Sequence, residues 1–154
     1  MKICDVMTSP VVTICPDAGW PAVAERIVAA RVSGLPVVAD DDHLLGVVTE
    51  ADLLSQPAFG GLQRADLAVV VEAVQGDPCW LYELVKFTAG QLMTTAVIVA
   101  YPDEDVSEAA RRMLDEHVKW MPVVRNDRVV GVVARRDLLA AAWPNSHIGA
   151  APAG

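Results

Sequence analysis

Thr49 and Asp52 stand three residues apart in the segment Gly46-Val-Val-Thr-Glu-Ala-Asp52, at what reads as the end of a strand and the start of a helix. A carboxylate at that place can cap the exposed amides of the helix. Gly46 lies in or beside the strand, where a missing side chain lets a ligand or another backbone approach closely. Two readings follow: a pair that binds a ligand, or a helix cap with no further role. The segment recurs as Gly131-Val-Val-Ala-Arg-Arg-Asp137. There Ala134 replaces Thr49, and Arg135 and Arg136 replace Glu50 and Ala51.

Other residue types limit the chemistry. Asp52 and Asp137 look like paired carboxylates, but repetition explains the pairing without acid/base catalysis. No phosphate-binding loop of the GxxxxGK[ST] type is present, so hydrolysis is not suggested. Cys4, Cys15 and Cys79 are widely spaced, form no CxxC and do not cluster with His43, His117 or His147. They read as free, buried structural thiols rather than metal ligands or nucleophiles. The expectation is a non-enzymatic protein with no metal and no required cofactor. The net charge of −8 argues against nonspecific nucleic-acid binding. Seven bases fall within residues 111–136: Arg111, Arg112, Lys119, Arg125, Arg128, Arg135 and Arg136. Most read as solvated surface; Lys119, Arg135 and Arg136 are set apart by their place in the repeat. The apolar runs are far shorter than the roughly 20 residues of a membrane span. Met-Lys-Ile-Cys-Asp has an acid where a signal peptide needs apolar residues. A cytoplasmic, membrane-free protein is expected.

The elements that must position these residues occur twice. Met7-Thr8 matches Met93-Thr94, Pro16-Asp17 matches Pro102-Asp103, and Pro36-Val37-Val38 matches Pro122-Val123-Val124. Gly46-Val47-Val48 matches Gly131-Val132-Val133, and Asp52-Leu53-Leu54 matches Asp137-Leu138-Leu139. The loop after Pro-Val-Val is one residue shorter in the second copy. Units of this size bury their apolar faces on each other. Each copy predicts a short extended run (Val11 to Ile14; Val97 to Ala100), a helix, a hairpin and a closing helix. In copy one Gly19 and Pro21 open the helix, with Val23, Ile27 and Val28 on its buried face. In copy two Asp105 and Glu108 resemble a capping box, and Val106, Ala109, Ala110, Met113 and Leu114 repeat at helical spacing. The hairpins pair Leu35 to Val38 with Leu44 to Val48, and Met121 to Val124 with Val129 to Val133. The parse is repeat one over 1–58, a helical insert over 59–90, repeat two over 91–143 and a frayed tail over 144–154. The insert carries Trp80, Tyr82 and Phe87, which could cover a pocket or form a contact.

The doubled pattern M-T-x-x-V … P-D … V-S-G-L-P-V-V … G-V-V-T-E-A-D-L-L resembles the tandem CBS domain, named after cystathionine β-synthase. The resemblance covers both copies and leaves out the insert and the tail. It implies an α+β fold of two β-α-β-β-α repeats around a pseudo-two-fold axis, of the stand-alone type common in bacteria. It also implies a regulatory module that binds adenosine-bearing ligands (AMP, ADP, ATP or S-adenosylmethionine) between the repeats. In the family pattern the Asp accepts from ribose hydroxyls, and the Thr hydroxyl with the helix-start amides meets phosphate or ribose.

Carried over by position, the first site would use Thr49 and Asp52 with Val47 beneath the ligand. Copy two would add Thr94, Ile98, Val118 and Lys119, the last within reach of a phosphate. The second site would use Asp137 and Val132, with Thr8, Val12, Val32 and Ser33 from copy one. Here Arg135 or Arg136 either replaces the missing hydroxyl as a phosphate anchor or lies on the surface. Trp120, in the place of Gly34, either stacks on a base or fills the pocket. The resulting expectation is a homodimeric sensor acting on a separate client protein through an adenine nucleotide. The competing expectation is an interaction module whose pockets have decayed.

Overall fold

The computed structural model describes residues 1–55 and 86–143. They form two compact units that cut across the sequence repeats. Unit 1 joins Met1–Val11 to the chain from Ile98 onward, and unit 2 is Val12–Val97. In order, the elements are α1 (Ile3–Val6), α2 (Trp20–Ala30), β1 (Gly34–Val38), β2 (Leu44–Thr49) and α3 (Glu50–Leu54). Then come α4 (Ala89–Leu92), α5 (Val106–Asp115), β3 (Trp120–Arg125), β4 (Arg128–Ala134) and α6 (Arg135–Ala142). This mixture of helices and hairpins is the expected α+β class.

In unit 2, β1 and β2 pair antiparallel with Gly34 opposite Thr49, Leu35 opposite Val48, Pro36 opposite Val47 and Val37 opposite Gly46. Side chains alternate across a strand. Leu35, Val37 and Val48 face a core completed by Ile14, Val23, Ile27, Leu53 and Ala89. The other face carries Gly34, Pro36, Val47 and Thr49. The expected opening strand is reduced to a single parallel bridge, Ile14 to Val37. Helix α2 starts at Gly19 with Pro21 in its first turn and stops at Arg31, whose φ of 55° is left-handed.

Unit 1 repeats this plan. Trp120 faces Ala134, Met121 faces Val133, Pro122 faces Val132 and Val123 faces Gly131. Its core gathers Ile3, Ala100, Ala109, Met113, Met121, Val123, Val133 and Leu138. Asn126 and Asp127 both take positive φ between Arg125 and Arg128, the two-residue turn that suits the twist of a hairpin. That tight turn is where the second copy is one residue shorter.

The short lead-in before each Met-Thr packs on the unit of the other sequence copy. Backbone amides of Ile3 and Cys4 donate to the carbonyls of Glu104 and Pro102, at 3.0 and 2.9 Å. Ala89 and Gly90 do the same to Ala18 and Pro16, at 2.8 and 2.9 Å. Thr8 then exchanges two hydrogen bonds with Val132, and Thr94 exchanges two with Val47. These bonds set the glycines. A Cβ on Gly46 would lie 2.7 Å from the Thr94 carbonyl and 2.7 Å from Met93 Sδ, and one on Gly131 would strike Met7. Of the two partners expected for Gly46, the structure supplies the backbone.

Several expectations are corrected. Val28 is 75% exposed and Leu114 65% exposed, so helical spacing overstated the width of both buried faces. Asp105 occupies the N-cap of α5 but does not cap with its side chain, because Lys2 Nζ holds its carboxylate at 2.9 Å. Cys4 and Cys15 are exposed rather than buried thiols. Arg112 is not merely solvated. It donates to the Val99 carbonyl at 2.7 Å and clasps Glu104 at 2.5 and 3.1 Å, with the Glu104 side chain only 6% exposed. Cys79, Trp80, Tyr82, most of the insert and the 144–154 tail lie outside the described residues. Among the described residues, no helix is long and apolar enough to cross a membrane.

Candidate functional site

The face of β1–β2 that turns away from the core ends at the start of α3, and there Thr49 meets Asp52. Asp52 Oδ2 accepts from the Thr49 amide at 2.8 Å and from Thr49 Oγ1 at 3.0 Å. The Asp52 amide donates back to Thr49 Oγ1 at 3.3 Å. The cap reading is therefore correct as local structure, and it fixes the direction of a half-buried hydroxyl and a half-buried carboxylate. Val47 lies two residues back on the same face, and Thr94 lines its edge through the bonds to Val47. The Glu50 amide donates to the Ser33 carbonyl at 2.9 Å, which brings Ser33 to the same corner. Val32 and Val12, of the same unit, are exposed at 38% and 44%.

The corresponding corner of unit 1 lacks the hydroxyl. Asp137 Oδ2 accepts from the Ala134 amide at 2.8 Å, but Ala134 has no side-chain oxygen with which to accept in return. The Arg135 amide donates to the Lys119 carbonyl at 3.0 Å, and its Nε donates to the Val118 carbonyl at 3.0 Å. Arg135 is thus turned onto its own unit; Arg136 and Lys119 are exposed. Val132 pairs with Thr8, and Ile98 and Val118 pack against the unit 1 core. Of the expected first site, Val47, Thr49, Asp52 and Thr94 belong to unit 2 and Ile98, Val118 and Lys119 to unit 1; of the second, Thr8, Val132, Arg135, Arg136 and Asp137 belong to unit 1 and Val12, Val32 and Ser33 to unit 2.

A cavity of about 220 Å³ adjoins Asp52, lined also by Ser55, Phe87, Gln91 and Leu92. Ser55, Gln91 and Leu92 are additions to the residues expected at the site. One signal was available: Thr88 and Gln91 have capping-box spacing, and their side chains do cap α4. Phe87 is half-buried and its carbonyl accepts from the Trp20 amide at 3.0 Å. Trp20 Nε1 in turn donates to the Leu53 carbonyl at 3.1 Å, tying the end of α3 to α2.

Comparison with known proteins agrees with this architecture. The chain is 30% identical to the Methanocaldococcus jannaschii protein MJ1426, over 92% of its own length and 90% of that protein. It is also 30% identical to the chloroplastic CBS domain-containing protein CBSX2 of Arabidopsis thaliana, over 77% of this chain, and spans 52% of that relative. A structure of CBSX2 in complex with AMP superposes with a TM-score of 0.71 at 26% identity, covering 95% of this chain and 98% of that one. The CBS domain of a membrane protein from Sphaerobacter thermophilus superposes with a TM-score of 0.70 at 32% identity, covering 90% and 86%. The family model described as the CBS domain matches residues 3–58 and 89–143, so the chain belongs to the CBS domain family and carries the domain as a pair.

Proposed function

We propose that this CBS pair is a non-enzymatic regulatory module that binds an adenosine-bearing ligand, an adenine nucleotide such as AMP, and modulates a separate partner protein. The observation that carries the reading is the Thr49–Asp52 pair. Its carboxylate is oriented by two hydrogen bonds, and an oriented carboxylate is a preorganised acceptor for the cis-diol of a ribose. The AMP complex of the related CBSX2 supports the ligand class. Val47 supplies an apolar floor, Thr94 an edge, and the Thr49 hydroxyl a contact to ribose or phosphate. Regulation requires that the nucleotide bind two arrangements of the protein with different affinity.

Calorimetry of the full chain with AMP, ADP, ATP and S-adenosylmethionine tests this. At least one should bind well below about 1 mM, the weak end of specific affinity. Absence of binding by all four at that level overturns the reading. The repeat-equivalent exposed residues Val28 and Leu114 support a homodimer built on α2 and α5. Sedimentation at low micromolar concentration should give twice the chain mass, and a Leu114→Glu variant should halve it.

A further inference from the structure

The geometry points to Trp120 as a plug that, together with Ala134, limits the chain to one adenosine ligand. The inference rests on the nucleotide reading above and concerns how many ligands the pair accepts. Directly opposed residues of an antiparallel pair project from the same face, with Cβ atoms about 4.5–5.5 Å apart. Gly34 faces Thr49 in unit 2, and Trp120 faces Ala134 in unit 1. In both units the next pair, Leu35 with Val48 or Met121 with Val133, belongs to the core. The 34/49 and 120/134 pairs therefore lie on the opposite face, with Val47 or Val132, at the corner of Asp52 or Asp137.

The two differences between the copies are thus one difference. Where unit 2 has a hydrogen beside a hydroxyl, unit 1 has an indole beside a methyl. The indole is long enough to reach across its partner, and Trp120 is half-buried rather than free in solvent. Arg135 does not replace the hydroxyl in the capping pair: its Nε is held by the Val118 carbonyl, and a guanidinium offers no acceptor to the Asp137 amide. Restoring either member alone leaves the corner unusable. Ala134→Thr would place a hydroxyl under the indole, and Trp120→Gly would open a face with no hydroxyl on it.

The test is the stoichiometry of AMP binding to the full chain by calorimetry. Wild type, Trp120→Gly and Ala134→Thr should each take one AMP per chain. The Trp120→Gly/Ala134→Thr double variant should take two, and adding Asp137→Ala should return it to one. Glycine weakens a strand, so Trp120→Ser/Ala134→Thr serves as a second double variant, each checked for native circular dichroism. Two equivalents on wild type, or one on both folded double variants, overturns the plug while leaving the nucleotide reading intact. Failure of wild type to bind any of the four ligands overturns both; if another of the four binds and AMP does not, the same stoichiometries are read with that ligand. Fluorescence adds an independent readout: the emission lost in Trp120→Phe should be unchanged by AMP. Quenching of that component would mean that the indole stacks on the base, which also overturns the plug.

Discussion

Unit 2 keeps the complete Thr49–Asp52 box, whereas unit 1 keeps the stronger frame. In both, an arginine of the main helix reaches back to a backbone carbonyl: Arg26 to Thr13 at 2.8 Å and Arg112 to Val99 at 2.7 Å. Among the described residues, only in unit 1 does a carboxylate complete the brace. Glu104 receives two bonds from Arg112 and accepts from the Tyr101 amide at 3.1 Å, while unit 2 has Ala18 at the matching position. The side chains that reinforce and those that offer hydrogen bonds to a ligand have separated between the copies. A duplicated unit can lose a polar group at its site and still be retained for its packing, because the two tasks use different residues.

The comparison is broken or sharpened most strongly at the two aspartates. Each caps its helix through the amide three residues earlier, so Asp52→Ala and Asp137→Ala should each cost about 1 kcal/mol of stability. Their effects on ligand should differ. Asp52→Ala should weaken AMP binding by about tenfold or more, the loss of at least one charge-assisted hydrogen bond, and Asp137→Ala should leave it nearly unchanged. Equal losses of affinity, measured beside equal losses in urea midpoint, would remove the functional asymmetry and leave two structural caps.

A smaller effect separates the braces. Arg112→Ala leaves Glu104 buried without its cation and should cost about 2–3 kcal/mol, below the range for a fully buried pair because Arg112 itself is 35% exposed. Arg26→Ala removes one hydrogen bond at an exposed position and should cost about 1 kcal/mol. Denaturant unfolding of the full chain measures both. A Glu104→Ala/Arg112→Ala double variant no less stable than Arg112→Ala alone would place the cost in the stranded carboxylate.

Much of this organisation was legible in the residues. Pro-Val-Val and Gly-Val-Val fixed the hairpins, and the Thr-x-x-Asp spacing located the capped corner. Counting outward from the Asn126-Asp127 turn puts Trp120 opposite Val133; an irregularity between Val123 and Val124 shifts the register by one and makes Ala134 its partner. The exchange of lead-in segments was not legible. Repeat matching shows that Met7 resembles Met93, but not that Met7 closes over Gly131 and Met93 over Gly46. Nor did composition reveal the Arg112 brace: its partners, Val99 and Glu104, lie 13 and 8 residues away, before α5 begins, where helical periodicity does not apply. Val28 and Leu114 failed for a related reason. Periodicity marks an apolar arc, while the sheet beneath decides how much of it is covered.

The smallest expected difference lies in how each lead-in is fastened. Lys2 and Asp105 join unit 1 through an ion pair, and the matching positions in unit 2 are the neutral Thr88 and Gly19, which pair through backbone alone. The hydrogen bond and charge of Lys2 hold the Asp105 carboxyl below its ordinary value, and the same contact raises Lys2 above its own. The signs follow. The Asp105 contribution is present above about pH 4 and fades as pH falls through the lowered folded value. The Lys2 contribution is present below about pH 10 and fades as pH rises through the raised folded value. The clasp is therefore complete across the neutral range, and salt weakens it because both groups are exposed. In unit 1 the Ile3 and Val106 amides bond across it, to the Glu104 and Met1 carbonyls. In Asp105→Asn these two amides should exchange faster at pH 7 by up to about threefold, the scale of a surface pair. Trp20 and Ala89, their counterparts in unit 2, should be unaffected, and at high salt the variant and wild type should converge. A threefold difference that persisted at high salt would assign the effect to the N-cap of α5 rather than to the charge on Asp105.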